Sequence, residues 1–276
     1  MRDSTTNSAG PGGFGADVRS QAARRLSRPR WAETWLWRIH RCAHSLIPVK
    51  KWWLIGGAVV VVLLAGVLAG PWIYGKFIAE DSTPAASVST QGAQAASGSV
   101  DGPWVVSAGE GANKTAAGYT VSEILNGARV TVVGTTDQVS GAVSISGQKM
   151  TAAELVVQVA GIATDNSHRD GQFRSNVMDT AAYPTAKFTL AAPVDLASLP
   201  TDGTAATVPV TGTLTLKDQT RPVSVDVKVL HSGDTLVASG NVPVTWSDYG
   251  ITPPSLGFVT VDDHGTVDIL VSLAHA

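Results

Sequence analysis

Cysteine is almost absent: Cys42 is the only one in 276 residues. No disulfide can close within the chain, so whatever folds must hold by packing alone. Charge is sparse as well, at 15% Asp, Glu, Lys and Arg, and it is unevenly placed. Ten of the 20 Lys and Arg precede residue 52, against three acids there, Asp3, Asp17 and Glu33. The remainder therefore carries 10 basic and 19 acidic residues, a net of 10 − 19 = −9. An acidic body without a basic patch and interleaved aromatics repels phosphate, which argues against nucleic acid as a partner.

Catalytic signatures are missing too. The histidines beyond residue 100, His168, His231, His264 and His275, lie in no Gly-x-Ser-x-Gly elbow. His168-Arg169-Asp170 has neither a glycine-rich phosphate loop nor an Asp-Phe-Gly partner, so it carries no kinase chemistry. His168 with Asp165 or Asp170, and His264 with Asp262 and Asp263, lack a specific ligand spacing, so no metal or other cofactor is expected. Asn113-Lys114-Thr115 matches a glycosylation sequon, too short a match to decide anything. The expectation is a protein that is not an enzyme.

What is present begins with 24 residues free of charge, Trp52 to Gly75, whose centre is continuously apolar. As a helix rising 1.5 Å per residue they would extend roughly 36 Å, enough to cross a hydrocarbon core of about 30 Å. Trp52, Trp53, Trp72 and Tyr74 stand at the two ends, where amphipathic rings favour the headgroup region. The charge asymmetry then sets the expected topology: a single-pass anchor in the cell membrane, a cytoplasmic N-terminus and an extracytoplasmic C-terminal domain. A cleaved signal peptide is the rival, disfavoured by Pro71 beside the small residues Ala69-Gly70 and by the length of the head.

Four segments follow. Residues 1–51 form a basic cytoplasmic head, disordered to about residue 30, with Trp31 to Ile47 either an interfacial amphipathic helix or an extension of the anchor. Residues 52–75 are the transmembrane helix. Residues 76–102, turning to Ala, Ser, Thr, Gly and Gln, read as a flexible linker. Residues 103–276 are one domain.

That domain is beta in texture. Val208, Val210, Gly212, Leu214 and Leu216 share one face; so do Val223, Val225, Val227 and Val229; and so do Leu236, Ala238, Gly240, Val242, Val244 and Trp246. Val267, Ile269, Val271 and Leu273 make a fourth such row. Earlier strands are expected at 119–124, 129–133, 139–145, 155–162 and 186–191, about nine in all with turn residues at nearly every break. Only the tract 170–181 suggests a turn or two of helix. Short links between alternating strands indicate an antiparallel meander, closed as a barrel or packed as a sandwich, and periodicity leaves the two open. The same apolar faces fit a ligand cavity or a solid core.

One stretch breaks the texture. Residues 162–188 pack Asp165, Arg169, Asp170, Arg174, Asp179 and His168 between apolar strands, either as a site or as a loop tied down by ion pairs.

Here the chain resembles the YceI family, bacterial exported domains that bind polyisoprenoid or other long-chain amphiphiles. Thr164-Asp165-Asn166, Arg169-Asp170, Phe173-Arg174-Ser175, Asp179 and Tyr183-Pro184 ahead of Phe188 are similar to that family's run before a strand. Gly212-Thr213-Leu214-Thr215-Leu216 with Thr220-Arg221-Pro222-Val223, and Ser247-Asp248-Tyr249-Gly250-Ile251, follow in the same order. The resemblance covers most of 103–276. It implies an all-β, extended antiparallel lipocalin-like barrel with a long apolar pocket, here preceded by one transmembrane helix. It further implies a membrane-anchored carrier that sequesters an isoprenoid or other long-chain lipid. Strand parity then selects Val121, Val132, Val157, Phe173, Met178, Phe188, Leu190, Leu214, Leu216, Val225, Val244 and Trp246 as lining residues, with Phe173 and Met178 touching the ligand. Arg169 and Asp170, with Asp165 or Asp179, are cast as a structural clamp beside the pocket mouth. The competing reading is a non-enzymatic envelope interaction module with a filled barrel. A homodimer is left open.

Overall fold

The computed structural model describes residues 56–67, 84–255 and 257–276. The basic head expected over residues 1–51 lies wholly outside them. Of the stretch expected to span a membrane, residues 56–67 are described, and they form helix α1. Its visible length is about 18 Å at 1.5 Å per residue. Among the described residues no helix is long and apolar enough to cross a membrane.

The body is built of strands β1 (Gly102–Ser107), β2 (Ala116–Leu125), β3 (Ala128–Thr136), β4 (Val139–Ser146), β5 (Lys149–Gln158) and β6 (Thr185–Leu190). It continues with β7 (Val194–Asp195), β8 (Ala205–Leu216), β9 (Gln219–Ser232), β10 (Thr235–Thr245) and β11 (Val259–His275). All pairings are antiparallel, and they run β1-β4-β5-β6-β8-β9-β10-β11 before β11 returns to β1. That closure decides for a barrel over a sandwich, because a ring of eight strands leaves no sheet edge along its wall. The long β11 serves two partners on one side. Val259 to Leu270 pair with β2, and Ser272 to His275 pair with β1, so the β2–β3 hairpin prolongs the wall at one end only. Beyond β3 the ladder is reduced to one bridge, Thr135 with Ala163, and the charged stretch 162–188 begins there.

Within that stretch a helix α2 (Ser167–Gln172) runs into a π-helical turn at Phe173–Val177. The helix starts where it does because the Asn166 side chain accepts hydrogen bonds from the backbone N–H groups of His168 and Arg169. The wide turn lets Met178 donate its backbone N–H to the Phe173 carbonyl at 2.9 Å. The helical tract therefore begins earlier than the expected residue 170. Similarly β5 occupies Lys149–Gln158, and the expected continuation to residue 162 is a 3-10 turn at Val159–Gly161.

The end opposite the hairpin is closed by Trp104, which has no exposed surface. Its indole Nε1 donates to the Val100 carbonyl at 2.9 Å, and its ring lies 3.8 Å from that of His275. His231 meets Trp104 edge-on, with centroids 6.2 Å apart. Burial, then the charge of His275, holds the His231 pKa below its ordinary 6.5. Above that pH the ring is neutral in both folded and unfolded chains. As the pH falls through 6.5, the unfolded chain takes up a proton that the folded one refuses, so acid destabilises the fold. His264 has the opposite sign, since its hydrogen bond to Asp263 raises its pKa, but it is exposed. A denaturant midpoint that drops between pH 7.5 and 5.5 in the wild type should drop less in His231→Gln; an identical drop would remove His231 as a cause.

The linker expectation needs correction from Val88 onward. Val88 is buried against Leu230, Val237 and Leu270 on the outer wall, and its N–H donates to Ser239 Oγ. Ser89 exchanges two hydrogen bonds with the Asn113 side chain, and Gln94, Ala96 and Ser97 donate to Ser232, Thr201 and Gly233. An Ala/Ser/Thr-rich composition permitted this because small polar residues lie flat on a sheet and satisfy their backbone on its loops. The segment is a strap, and Val88→Ser should lower stability by about 1–2 kcal/mol, read as a shifted denaturant midpoint at unchanged slope.

Candidate ligand-binding cavity

Under the strap the wall is drier outside than at several of its inward positions. On β9, β10 and β11 the outward Leu230, Val237 and Leu270 are buried under the strap, whereas the inward Val225, Val227, Ala238 and Ile269 remain half-buried. Inward residues keep accessible surface only if the barrel is hollow. A cavity of about 480 Å³ runs through it, from Val143, Ile145 and Leu196 near the Trp104 end to Leu125, Phe258 and Val259 at the hairpin end. The volume lies within the usual range for small-molecule sites. The filled-barrel alternative therefore does not hold.

Parity placed most of the expected lining. Val121, Val132, Val157, Phe173, Met178, Phe188, Leu214, Leu216, Val225 and Trp246 all border the cavity. Leu190 and Val244 do not. Leu190 packs into the apolar cluster around Val208 and Val210, and Val244 is buried in the cluster that holds Trp246 and Tyr249. Both sit on the correct face of their strands, but at positions where the interior is already filled by neighbours. Gly212 explains part of this, because a Cβ there would stand 2.3 Å from the Phe188 ring, so the ring occupies the space that a side chain at 212 would take. Omitted from the selection were Val143, Ile145 and Ala153 on β4 and β5, together with Val208, Val210, Leu236 and Val242. The last four lay on faces already recognised as apolar rows, so the alternation could have supplied them.

Polar lining gathers at the hairpin end, where Glu123, Asn166, His168, Arg169 and Gln172 join the wall. Arg169 donates from Nη2 to Glu123 Oε1 at 3.0 Å and from Nη1 to Asp165 Oδ1 at 2.6 Å. Burial works to lower the Arg169 pKa, and the two carboxylates more than offset it, so the group is held above its ordinary value. Asp170 is buried and accepts from Thr164 N–H at 2.9 Å and Thr164 Oγ1 at 2.7 Å, fixing the chain just ahead of the helix. One turn after Arg169, Phe173 stacks on Tyr119, with centroids 5.2 Å apart and planes 17° off parallel. Burial pushes the Tyr119 phenol up to about 12, against the pull of Arg169 and with the push of Asp170, Glu123 and Asp165. An ion pair and a ring stack thus bolt α2 onto β2.

Three of the four expected clamp residues are in this arrangement and Asp179 is not. It adopts a left-handed φ of 48°, and its carbonyl accepts from Ala182 and Tyr183, so its part is to turn the chain. The principal partner of Arg169, Glu123, escaped notice because it stands 46 residues away on β2, and nothing in the local sequence connects the two.

The profile of the YceI-like domain matches residues 110–273, more than half of the chain. The chain belongs to the YceI-like family. Its YceI-like domain is similar to Burkholderia cenocepacia BcnA, at 23% identity over 57% of this chain and 95% of that one, with a TM-score of 0.46. A polyisoprenoid binding domain from Saccharophagus degradans shares 19% identity over 63% of this chain and 98% of that one, with a TM-score of 0.47. The Campylobacter jejuni YCEI protein shares 16% over 50% and 81%, with a TM-score of 0.40. No curated protein sequence matches the chain.

Proposed function

We propose that this YceI-like domain is a non-enzymatic carrier that holds one long-chain amphiphile, an isoprenoid or fatty-chain lipid, inside its barrel. The observation behind the reading is the hollow, largely apolar interior with most of its polar side chains, Glu123, Asn166, His168, Arg169 and Gln172, gathered at one end. Such a cavity matches a molecule with a long apolar tail and a small polar head. Burial contributes about 0.8 kcal/mol per CH2, so ten enclosed carbons supply roughly 8 kcal/mol before entropy costs, without any charged contact.

The membrane anchor and extracytoplasmic location are part of the proposal. Residues 56–67 support it: Val61, Val62 and Val67 are each more than 60% exposed on a helix with no polar face. Such a helix has no stable place in water and suits a lipid surround. The strap then shortens the tether. Thirteen residues from Gly75 to Val88 reach about 45 Å when fully extended, half of what the whole of 76–102 would allow. A barrel so held would stay within reach of the bilayer from which its ligand comes. Carbonate washing of membranes should leave the full chain in the pellet; release into the supernatant would contradict the anchor.

The carrier reading is tested by solvent extraction of the intact protein and mass spectrometry of the extract. One lipid per chain is expected, retained through washing and replaceable by an added isoprenoid alcohol. A protein that is consistently empty and ignores added isoprenoids would contradict it.

A further inference from the structure

We infer that the cavity selects amphiphiles with an uncharged headgroup and discriminates against prenyl phosphates and diphosphates, a specificity that rests on the carrier reading and narrows it. The argument comes from the charges at the polar end. Two cationic residues border the cavity, Arg169 and Lys187. Lys187 is tied to Glu154 at 2.8 Å, on the opposite face of β6 from the inward Ala186 and Phe188. Arg169 is spanned by Glu123 on one side and Asp165 on the other, with a separate guanidinium nitrogen committed to each. An entering phosphate would have to share that guanidinium with two carboxylates or displace one of them, and displacing Glu123 would leave a buried carboxylate without its counter-charge.

Among the lining side chains the formal charges balance, Glu123 and Asp268 against Arg169 and Lys187. Around Arg169 itself, however, carboxylates crowd one guanidinium: Glu123 and Asp165 pair with it, and the buried Asp170 follows it on α2. A phosphate monoester brings nearly two further negative charges at neutral pH. In a mouth walled by apolar side chains that repulsion is weakly screened. Asn166 and Gln172 offer neutral amide groups at the same end, beside the His168 ring, and amides suit a hydroxyl, phenol or carbonyl. Arg174 and Lys217 lie outside the lining, and Lys217 donates to the Val177 carbonyl at 3.0 Å. The clamp that orders the helix thereby sets the headgroup rule: it engages the guanidinium of Arg169 with two carboxylates, while Lys187 is engaged by Glu154.

The test is competition for photolabelling of the full-length protein by a diazirine-bearing isoprenoid alcohol, with farnesol or farnesyl monophosphate as competitor at pH 8. Farnesol should compete better by on the order of tenfold or more, and the gap should narrow at high salt. Glu123→Gln removes one charge and frees one side of Arg169, so the gap should close by about tenfold. If that variant does not fold, Asp165→Asn, at an exposed position, should close it by a smaller factor. Farnesyl phosphate competing as well as farnesol in the wild type, or a gap unmoved in both variants, would overturn the inference while leaving the carrier reading intact. Competition by neither molecule would instead count against the carrier reading itself.

Discussion

Arg169→Ala should lower the stability of the folded domain by about 2–4 kcal/mol, or roughly 5–12 °C in melting temperature for a domain of this size. The magnitude comes from what is left behind. Glu123 keeps only 6% side-chain exposure, so truncating its partner strands a buried carboxylate beside Asp170 and the Tyr119 ring. Arg169 itself is 22% exposed, which places the effect below that of a fully buried pair. Ligand retention should weaken together with stability, because α2 and the Phe173–Tyr119 stack close the same end of the barrel. Arg169→Lys should recover part of the loss, since an ammonium can satisfy one carboxylate but not span two. A variant with unchanged melting temperature and lost binding would mean that Arg169 contacts ligand directly and holds nothing in place.

Ala238→Phe should abolish tight binding while leaving the fold as stable as before or more so. Ala238 faces the cavity from β10, between Val229 and Val271 on the flanking strands, and keeps accessible surface there although it belongs to the barrel interior. A phenyl group would occupy hollow space. If it displaces four methylenes of a bound chain, the loss is about 3 kcal/mol, or roughly a hundredfold in affinity. Filling an empty apolar void is otherwise favourable, so the denaturant midpoint should not fall. The two substitutions thus separate the roles of the interior and the mouth: one should remove binding without destabilising, the other should do both.

How far the sequence reached follows from the range of each signal. Alternation at period two is local, so the inward rows of β8, β9 and β10 could be assigned from Val208, Val225 and Leu236 with their neighbours. Closure of the ring depends on pairings such as Val105 with Ala274, far apart in the chain, which is why barrel and sandwich stayed level until the family resemblance was considered. Parity says which way a side chain points and not whether the space before it is empty. Leu190 and Val244 point inward and still miss the cavity. The clamp was half legible for the same reason: Asp165, just ahead of α2, and Arg169 within it are four residues apart in the chain, while Glu123 reaches them only through the fold. The strap was not legible at all, since nothing in an Ala/Ser/Thr-rich composition marks Val88 as a residue with a berth on Leu230 and Leu270.

The central claim is that the barrel interior, and no other surface, holds the chain of an amphiphile. The most direct measurement is photolabelling of the full-length protein with an isoprenoid alcohol carrying a diazirine midway along its chain, followed by peptide mapping of the adducts. Labels should fall on inward positions of β5, β8, β9 and β10, around Val157, Leu214, Val225 and Ala238, and should disappear in Ala238→Phe. Adducts confined to residues 52–75 or scattered over the outer wall would contradict it.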